Sequence, residues 1–243
     1  MAFLAALQFL TITPPLIRRM FTPREMGRAV GFFPLIGLLV GGLLVGLGDV
    51  SLMVWPPPIS AALILVAWVL ATGALHLDGF LDSCDGPLGG DTPEKRLDIM
   101  KDEHVGAFAV VGGTVLLLVK YVTLWSVQDR LEACLLATVL GRWAIVMAIV
   151  FFPYARPEGL GRSMKDNAGW RQVVLATLVA LPASWLAGGE RGLLALALVG
   201  GATWLAARFT LKRIPGLTGD IYGAICEMME VLVLLVFTAR IPG

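Results

Sequence analysis

Seven stretches of apolar residues dominate this 243-residue chain, at about 29–50, 58–77, 106–126, 132–153, 171–188, 192–209 and 220–239. A bilayer's hydrocarbon core takes about 20 apolar residues of helix, so most of these runs are long enough to cross it. Composition agrees: 57% of the residues are hydrophobic and 15% are charged, with a mean hydropathy of +0.81. A soluble domain carries about a quarter charged residues. In lipid every backbone polar group needs an internal partner, and a helix supplies it. The expected fold is all-α: a polytopic helical membrane bundle of about seven spans, one integral-membrane domain over residues 1–243. The fifth and sixth runs are short and separated by Gly188-Gly189-Glu190-Arg191, which predicts a tight helical hairpin. Residues 1–17 lack the basic start and small-residue cleavage site of a leader. They are expected to form an interfacial or re-entrant helix ending at Pro14-Pro15.

Charge sets the orientation. Of 19 lysines and arginines, 14 lie in the N-terminal arm and the second, fourth and sixth connections. Arg130, Arg191 and Arg240 lie on the other side, and Lys120 and Arg142 within spans. The positive-inside rule then places the N-terminus and the basic connections in the cytoplasm and the C-terminus outside. The net charge of +1 gives no reason to expect a nucleic-acid partner.

Against this apolar background His76-Leu-Asp-Gly-Phe-Leu-Asp-Ser-Cys-Asp-Gly86 stands out. Asp78, Asp82 and Asp85, at i, i+4 and i+7, share one face of a helix. Three carboxylates so placed repel one another unless a cation lies between them. Oxygen ligands suit a hard divalent ion, Mg²⁺ with Mn²⁺ as the alternative. Gly79 and Gly86 would let a phosphorylated group approach the backbone. Cys84 points away from that face, and three unpaired cysteines (Cys84, Cys134 and Cys226) define no disulfide framework. His76 lies off the aspartate face and is not expected to be a ligand.

Downstream, Thr92 and Pro93 predict a helix start. Arg96, Lys101 and Asp102 are candidate substrate-binding residues, the two cations suited to phosphate oxygens. In the last run, Asp220, Glu227 and Glu230 follow a helical face. Acids inside a span are costly and face a polar interior. Asp220 and Glu230 are candidate substrate-binding residues and Glu227 a catalytic one. Arg142 and Arg208 are candidate partners for the acids, and a structural buried ion pair is the competing account.

Taken together, LQFLTITP near the start, GRAVGFFPLIGLLVGG at 27–42, HLDGFLDSCDG at 76–86, RLDIMKDEHVGAFA at 96–109, EGLG at 158–161 and LTGDIYGAICEMMEVLVLL at 217–235 resemble the cobalamin synthase family, the adenosylcobinamide-GDP ribazoletransferases. The aspartate motif is also similar to part of the CDP-alcohol phosphotransferase signature, but Phe80-Leu81-Asp82-Ser83 departs from it and no D-x-x-x-D follows. The resemblance implies a prokaryotic inner-membrane enzyme that uses Mg²⁺. It would join adenosylcobinamide-GDP to α-ribazole, or its 5′-phosphate, with release of GMP. Asp78, Asp82 and Asp85 would then hold the metal, and Arg96 and Lys101 the GMP phosphate. Asp85, or after it Glu227, would take the hydroxyl proton, with Asp82 also catalytic. A homo-oligomer is compatible with this picture. Another metal-dependent membrane transferase, or a cation transporter, is the alternative, but the acids cluster beside cations in a connection and no internal repeat is visible.

Overall fold

The computed structural model describes residues 1–102 and 104–239, and for Leu88 the backbone alone. The expected positions of the C-terminus and of Arg240 lie outside the described residues. Among the described residues eleven α-helices follow one another: α1 (Ala2–Leu10), α2 (Pro23–Ala29), α3 (Phe33–Leu52), α4 (Pro57–Ala71), α5 (Leu75–Gly89), α6 (Pro93–Ile99), α7 (Ala107–Ser126), α8 (Arg130–Phe151), α9 (Leu160–Asn167), α10 (Trp170–Leu211) and α11 (Gly219–Thr238). A single 3-10 turn over Val30–Phe32 joins α2 to α3.

All seven apolar runs are largely helical. Among the described residues, five helical segments are long and apolar enough to cross a membrane with α10 counted once, or six if α4 and α5 are taken as one bent span. The fifth and sixth runs are the two arms of α10, hydrogen-bonded through a break at Gly189, whose φ of 53° and ψ of −134° are not helical. The chain reverses there. A Cβ on Gly192 would lie 2.0 Å from the Ser184 carbonyl oxygen. Residues eight apart on a straight helix are separated by about 12 Å. The predicted hairpin is therefore present, with Trp143 of α8 touching both arms: its Nε1 donates to Thr177 Oγ1 (3.0 Å) and its ring meets the Gly200 side.

The second run departs most from expectation. It stops at Ala71, where Gly73 (φ 58°) and Ala74 (φ 56°) take left-handed conformations, and α5 leaves at 88° to α4. At 15 residues, α4 is about 22 Å long, short of a full crossing. The first helix is shorter than expected, ending at Leu10, and the segment after it closes on α4 through Ile12 N–H to Ala71 C=O (3.0 Å).

Helix α8 is the buried centre, packed against α3, α10 and α11. Lipid is as apolar as leucine, so such packing depends on close fit rather than on exclusion from water. A Cβ on Gly37 would come within 2.4 Å of the Thr138 carbonyl oxygen. Gly37 and Gly41 thus bring α3 against α8, whereas Gly42 and Gly46, of the same stripe, have nothing beside them. Trp170 at the start of α10 and Trp125 at the end of α7 are exposed, as in the aromatic belts at membrane interfaces.

Chain direction gathers the chemistry at one end of the bundle. The starts of α3, α7 and α11, the end of α8 and both tips of α10 meet there with α1, α2, α5, α6 and α9. Lys165 Nζ donates to Val150 C=O (2.9 Å), and Arg96 Nη1 donates to Arg213 C=O (3.0 Å). The opposite end holds the Ser51–Ser60 hydrogen bond and the Arg191–Asp129 ion pair.

A candidate active site at the crossing of two helices

The site is built where α5 crosses the start of α11. A Cβ on Gly79 would lie 2.8 Å from the Asp220 carbonyl oxygen, and one on Gly223 2.9 Å from that of His76. The two backbones touch, which sets Asp78 and Asp82 beside Asp220. Gly79 and Gly86 therefore serve packing and not, as expected, the approach of a ligand. At Gly86 a Cβ would meet Met100 after α6. Thr92 caps α6, accepting from Lys95 N–H (3.3 Å), with Pro93 at its first position as predicted.

The three motif aspartates share one face of α5 and have different surroundings. Asp85 accepts the Gly106 N–H (2.7 Å) and the Ala109 N–H (3.0 Å), one on each carboxylate oxygen. It thereby satisfies free donors at the start of α7. Its carboxylate is engaged in holding that helix, which argues against Asp85 as the proton acceptor. Asp78 and Asp82 have no ion-pair or hydrogen-bond partner among the described residues.

Opposite them, Asp220 pairs with Arg156 Nη2 (2.8 Å) and accepts from Thr218 Oγ1 (3.2 Å). Arg156 was counted in the sequence only among the basic connections. It is placed by a short parallel bridge between Tyr154 and Leu217, where Ala155 N–H donates to Leu217 C=O and Leu217 N–H to Pro153 C=O, both at 2.8 Å. The nearby EGLG stretch carries the signal that marks this loop.

Two cavities open at this crossing. One, about 360 Å³, is lined by Asp78, Asp82, Asp85, Lys101, Asp102 and His104. The other, about 280 Å³, is lined by Asp78, Tyr154, Arg156, Asp220, Tyr222 and His76, among others. Asp78 belongs to both. In the first cavity Asp102 accepts from His104 N–H (3.0 Å) and contacts its Nδ1 (2.6 Å). Those hydrogen bonds hold the Asp102 carboxyl below its usual range.

Arg96 is placed differently from expectation. Its Nε donates to Gly90 C=O (2.8 Å) and its Nη1 to Arg213 C=O, so its guanidinium ties α6 to the end of α10. It does not line the acidic cavity. Lys101 does.

Glu227 and Glu230 are not brought to the aspartates. Both are buried in a separate cluster: Lys120 Nζ donates to Glu227 Oε2 (2.6 Å) and to Glu230 Oε2, and Arg142 pairs with Glu230. Lys120 also lies over the Trp68 ring at 4.6 Å. The structural ion pair, weighed in the sequence as the competing account, is the arrangement found. Arg142 is a partner as expected, Lys120 is the one missed, and Arg208 lines a groove elsewhere. The signal for Lys120 was a lone lysine in the middle of an apolar run. Cys84 lines that same groove, on the side of α5 away from the aspartates, and the three cysteines are free.

A profile of the cobalamin-5-phosphate synthase family matches residues 2–238. The chain belongs to this family. Among its relatives are proteins named adenosylcobinamide-GDP ribazoletransferase. The one from Stutzerimonas stutzeri (strain A1501) is 43% identical over 96% of this chain and 95% of the relative. That from Roseiflexus sp. (strain RS-1) is 37% identical over 98% and 89%. That from Desulforamulus reducens (strain ATCC BAA-1160 / DSM 100696 / MI-1) is 38% identical over 94% and 92%. No solved structure matches the chain. No three His, Cys, Asp or Glu side chains among the described residues converge to hold a metal ion by themselves. The donors nevertheless suit Mg²⁺, which is commonly held by one or two carboxylates together with substrate phosphates.

Proposed function

We propose that the chain is a Mg²⁺-dependent adenosylcobinamide-GDP ribazoletransferase of a prokaryotic inner membrane, with its site facing the cytoplasm. It transfers the cobinamide phosphate of adenosylcobinamide-GDP to a hydroxyl of α-ribazole or its 5′-phosphate. The oxygen–phosphorus bond forms at the phosphorus attached to the corrinoid side. The bridging bond of the pyrophosphate breaks, and GMP leaves with the bridging oxygen. The observation that carries this reading is the face shared by Asp78 and Asp82 without a protein cation, opposite Asp220, in a chain with whole-length family membership.

Asp78 and Asp82 would hold Mg²⁺, which neutralises pyrophosphate charge and steadies the leaving group. Transfer of this kind depends on positioning and electrostatics. Lys101 approaches phosphate oxygens from the side of the acidic cavity, and Arg156 keeps Asp220 fixed beside them. Asp78, which faces both cavities, is better placed than Asp85 or Glu227 to accept the hydroxyl proton. Geometry comes before pKa in assigning such a role.

The test is GMP release by purified protein given adenosylcobinamide-GDP and α-ribazole 5′-phosphate. Chelation with EDTA is expected to stop it and added Mg²⁺ to restore it. Undiminished release in EDTA would overturn the metal's role, and absence of release with Mg²⁺ would overturn the activity itself.

A further inference from the structure

The 280 Å³ cavity has features that the metal-and-pyrophosphate chemistry does not use. Part of its wall is flat and apolar: Tyr154 and Tyr222 stack at 6.0 Å, Phe9 and Phe33 at 6.1 Å, and Ile145 and Ile149 of α8 also line it. Three polar atoms in its lining are buried without a hydrogen-bond partner, Tyr222 Oη, His76 Nε2 and Arg156 Nε. Tyr222 and His76 are 5% and 3% exposed. Buried polar groups in proteins are nearly always satisfied, and exceptions mark strain, function or a missing partner. The cavity is small, near the lower end of about 300–1,000 Å³ for ligand sites. A corrin macrocycle does not fit it, whereas a single nucleoside does.

From these features we infer that this cavity is the acceptor subsite: it takes the base of α-ribazole, with Tyr222 Oη donating to the free ring nitrogen. The inference rests on the transferase reading above and adds which substrate lies on which side of Asp78. A benzimidazole has two apolar faces and, once joined to ribose, one ring nitrogen that accepts. That matches the flat apolar part of the wall and the spare hydroxyl beside it. Guanine, the other base in the reaction, presents an edge of several donors and acceptors. Of the carboxylates in the lining, Asp220 is occupied by Arg156 and Thr218, Asp78 is given to the metal, and Glu158 is exposed. With the base in this slot the ribose emerges beside Asp78, facing the acidic cavity where the pyrophosphate would lie.

Two variants test the assignment. Tyr222→Phe removes the unpartnered hydroxyl and keeps the ring. Leu160→Trp narrows the slot at an exposed position of its lining, so folding is not at stake. In the GMP-release assay both are expected to raise the KM for α-ribazole, Tyr222→Phe by about fivefold, the worth of one hydrogen bond, and Leu160→Trp by steric narrowing. The KM for adenosylcobinamide-GDP should stay within about twofold. Because the hydroxyl has no partner in the free protein, Tyr222→Phe should leave the unfolding temperature equal or higher. A residue serving structure alone would lower it without moving KM. Quenching of intrinsic fluorescence by α-ribazole alone, in detergent, gives a readout independent of turnover. If wild type binds α-ribazole and the variants bind it more weakly, the slot stands even where no GMP is released, and only the transferase reading fails. A rise in the corrinoid KM instead, equal KM values in wild type and variants, or no α-ribazole binding by wild type overturns it.

Discussion

Helix α11 carries two clusters of charge that differ in kind. At its start, Asp220 faces Asp78 and Asp82 across the α5 crossing, with Asp85 on the next turn; Arg156 is the cation in contact. Two to three turns further along, Glu227 and Glu230 meet Lys120 and Arg142, two acids with two bases. The first cluster is half-open and unbalanced. The second is closed, buried and balanced. Removing ions from water costs several kcal/mol each, so a buried set persists only when each charge is paired. An unbalanced set beside a cavity is tolerable because water, or a ligand, completes it. Balance thus separates an arrangement that holds helices together from one that awaits a partner.

The largest expected effect falls on the open cluster. Asp82→Asn should lower GMP release by about a thousandfold, as for loss of a group that supports transition-state charge. Insertion and unfolding temperature should be unchanged. Near-normal turnover in this variant with Mg²⁺ present would break the distinction. In the closed cluster, Arg142→Leu should leave Glu230 incompletely paired and cost about 3–5 kcal/mol of stability, read by unfolding in detergent. Pairing it with Glu230→Leu should recover most of that loss. A stable Arg142→Leu protein that has lost only activity would move this cluster into the site. Asp85→Ala sits between the two: it should cost about 1 kcal/mol through the lost N–H acceptors of α7, with a smaller drop in turnover than Asp82→Asn. The smallest effect is expected for Arg208→Gln, whose side chain touches neither cluster; unfolding temperature and turnover should both match wild type.

Much of the scaffold was legible in the sequence because helical apolar runs are long-range, repetitive signals. The hairpin at Gly188–Arg191 and the shared face of Asp78, Asp82 and Asp85 were read from spacing alone. The break after Ala71 was not, because residues 58–77 are apolar throughout and hydropathy is blind to the left-handed pair at Gly73 and Ala74. Within the site, spacing along one helix finds Asp78 and Asp82. It does not find Arg156, whose place depends on a bridge between segments 63 residues apart in the chain, Tyr154 and Leu217. Nor does it separate Glu227 from Asp220, which lie on nearly one face of α11 but at different depths, where Lys120 decides the surroundings. Arg96 shows the same limit: its sequence neighbours suggest phosphate, while its nearest acceptors are the carbonyls of Gly90 and Arg213.

Asp78 stands in the wall between two cavities, and that position has a stereochemical consequence. If donor and acceptor are held on either side of one carboxylate, the phosphoryl group passes directly from one oxygen to the other. A single displacement inverts the configuration at phosphorus. A relay through an aspartyl phosphate would displace twice and restore it. A chiral phosphorothioate analogue of the corrinoid donor would therefore record, in the handedness of its product, whether the wall is a partition or a stepping stone.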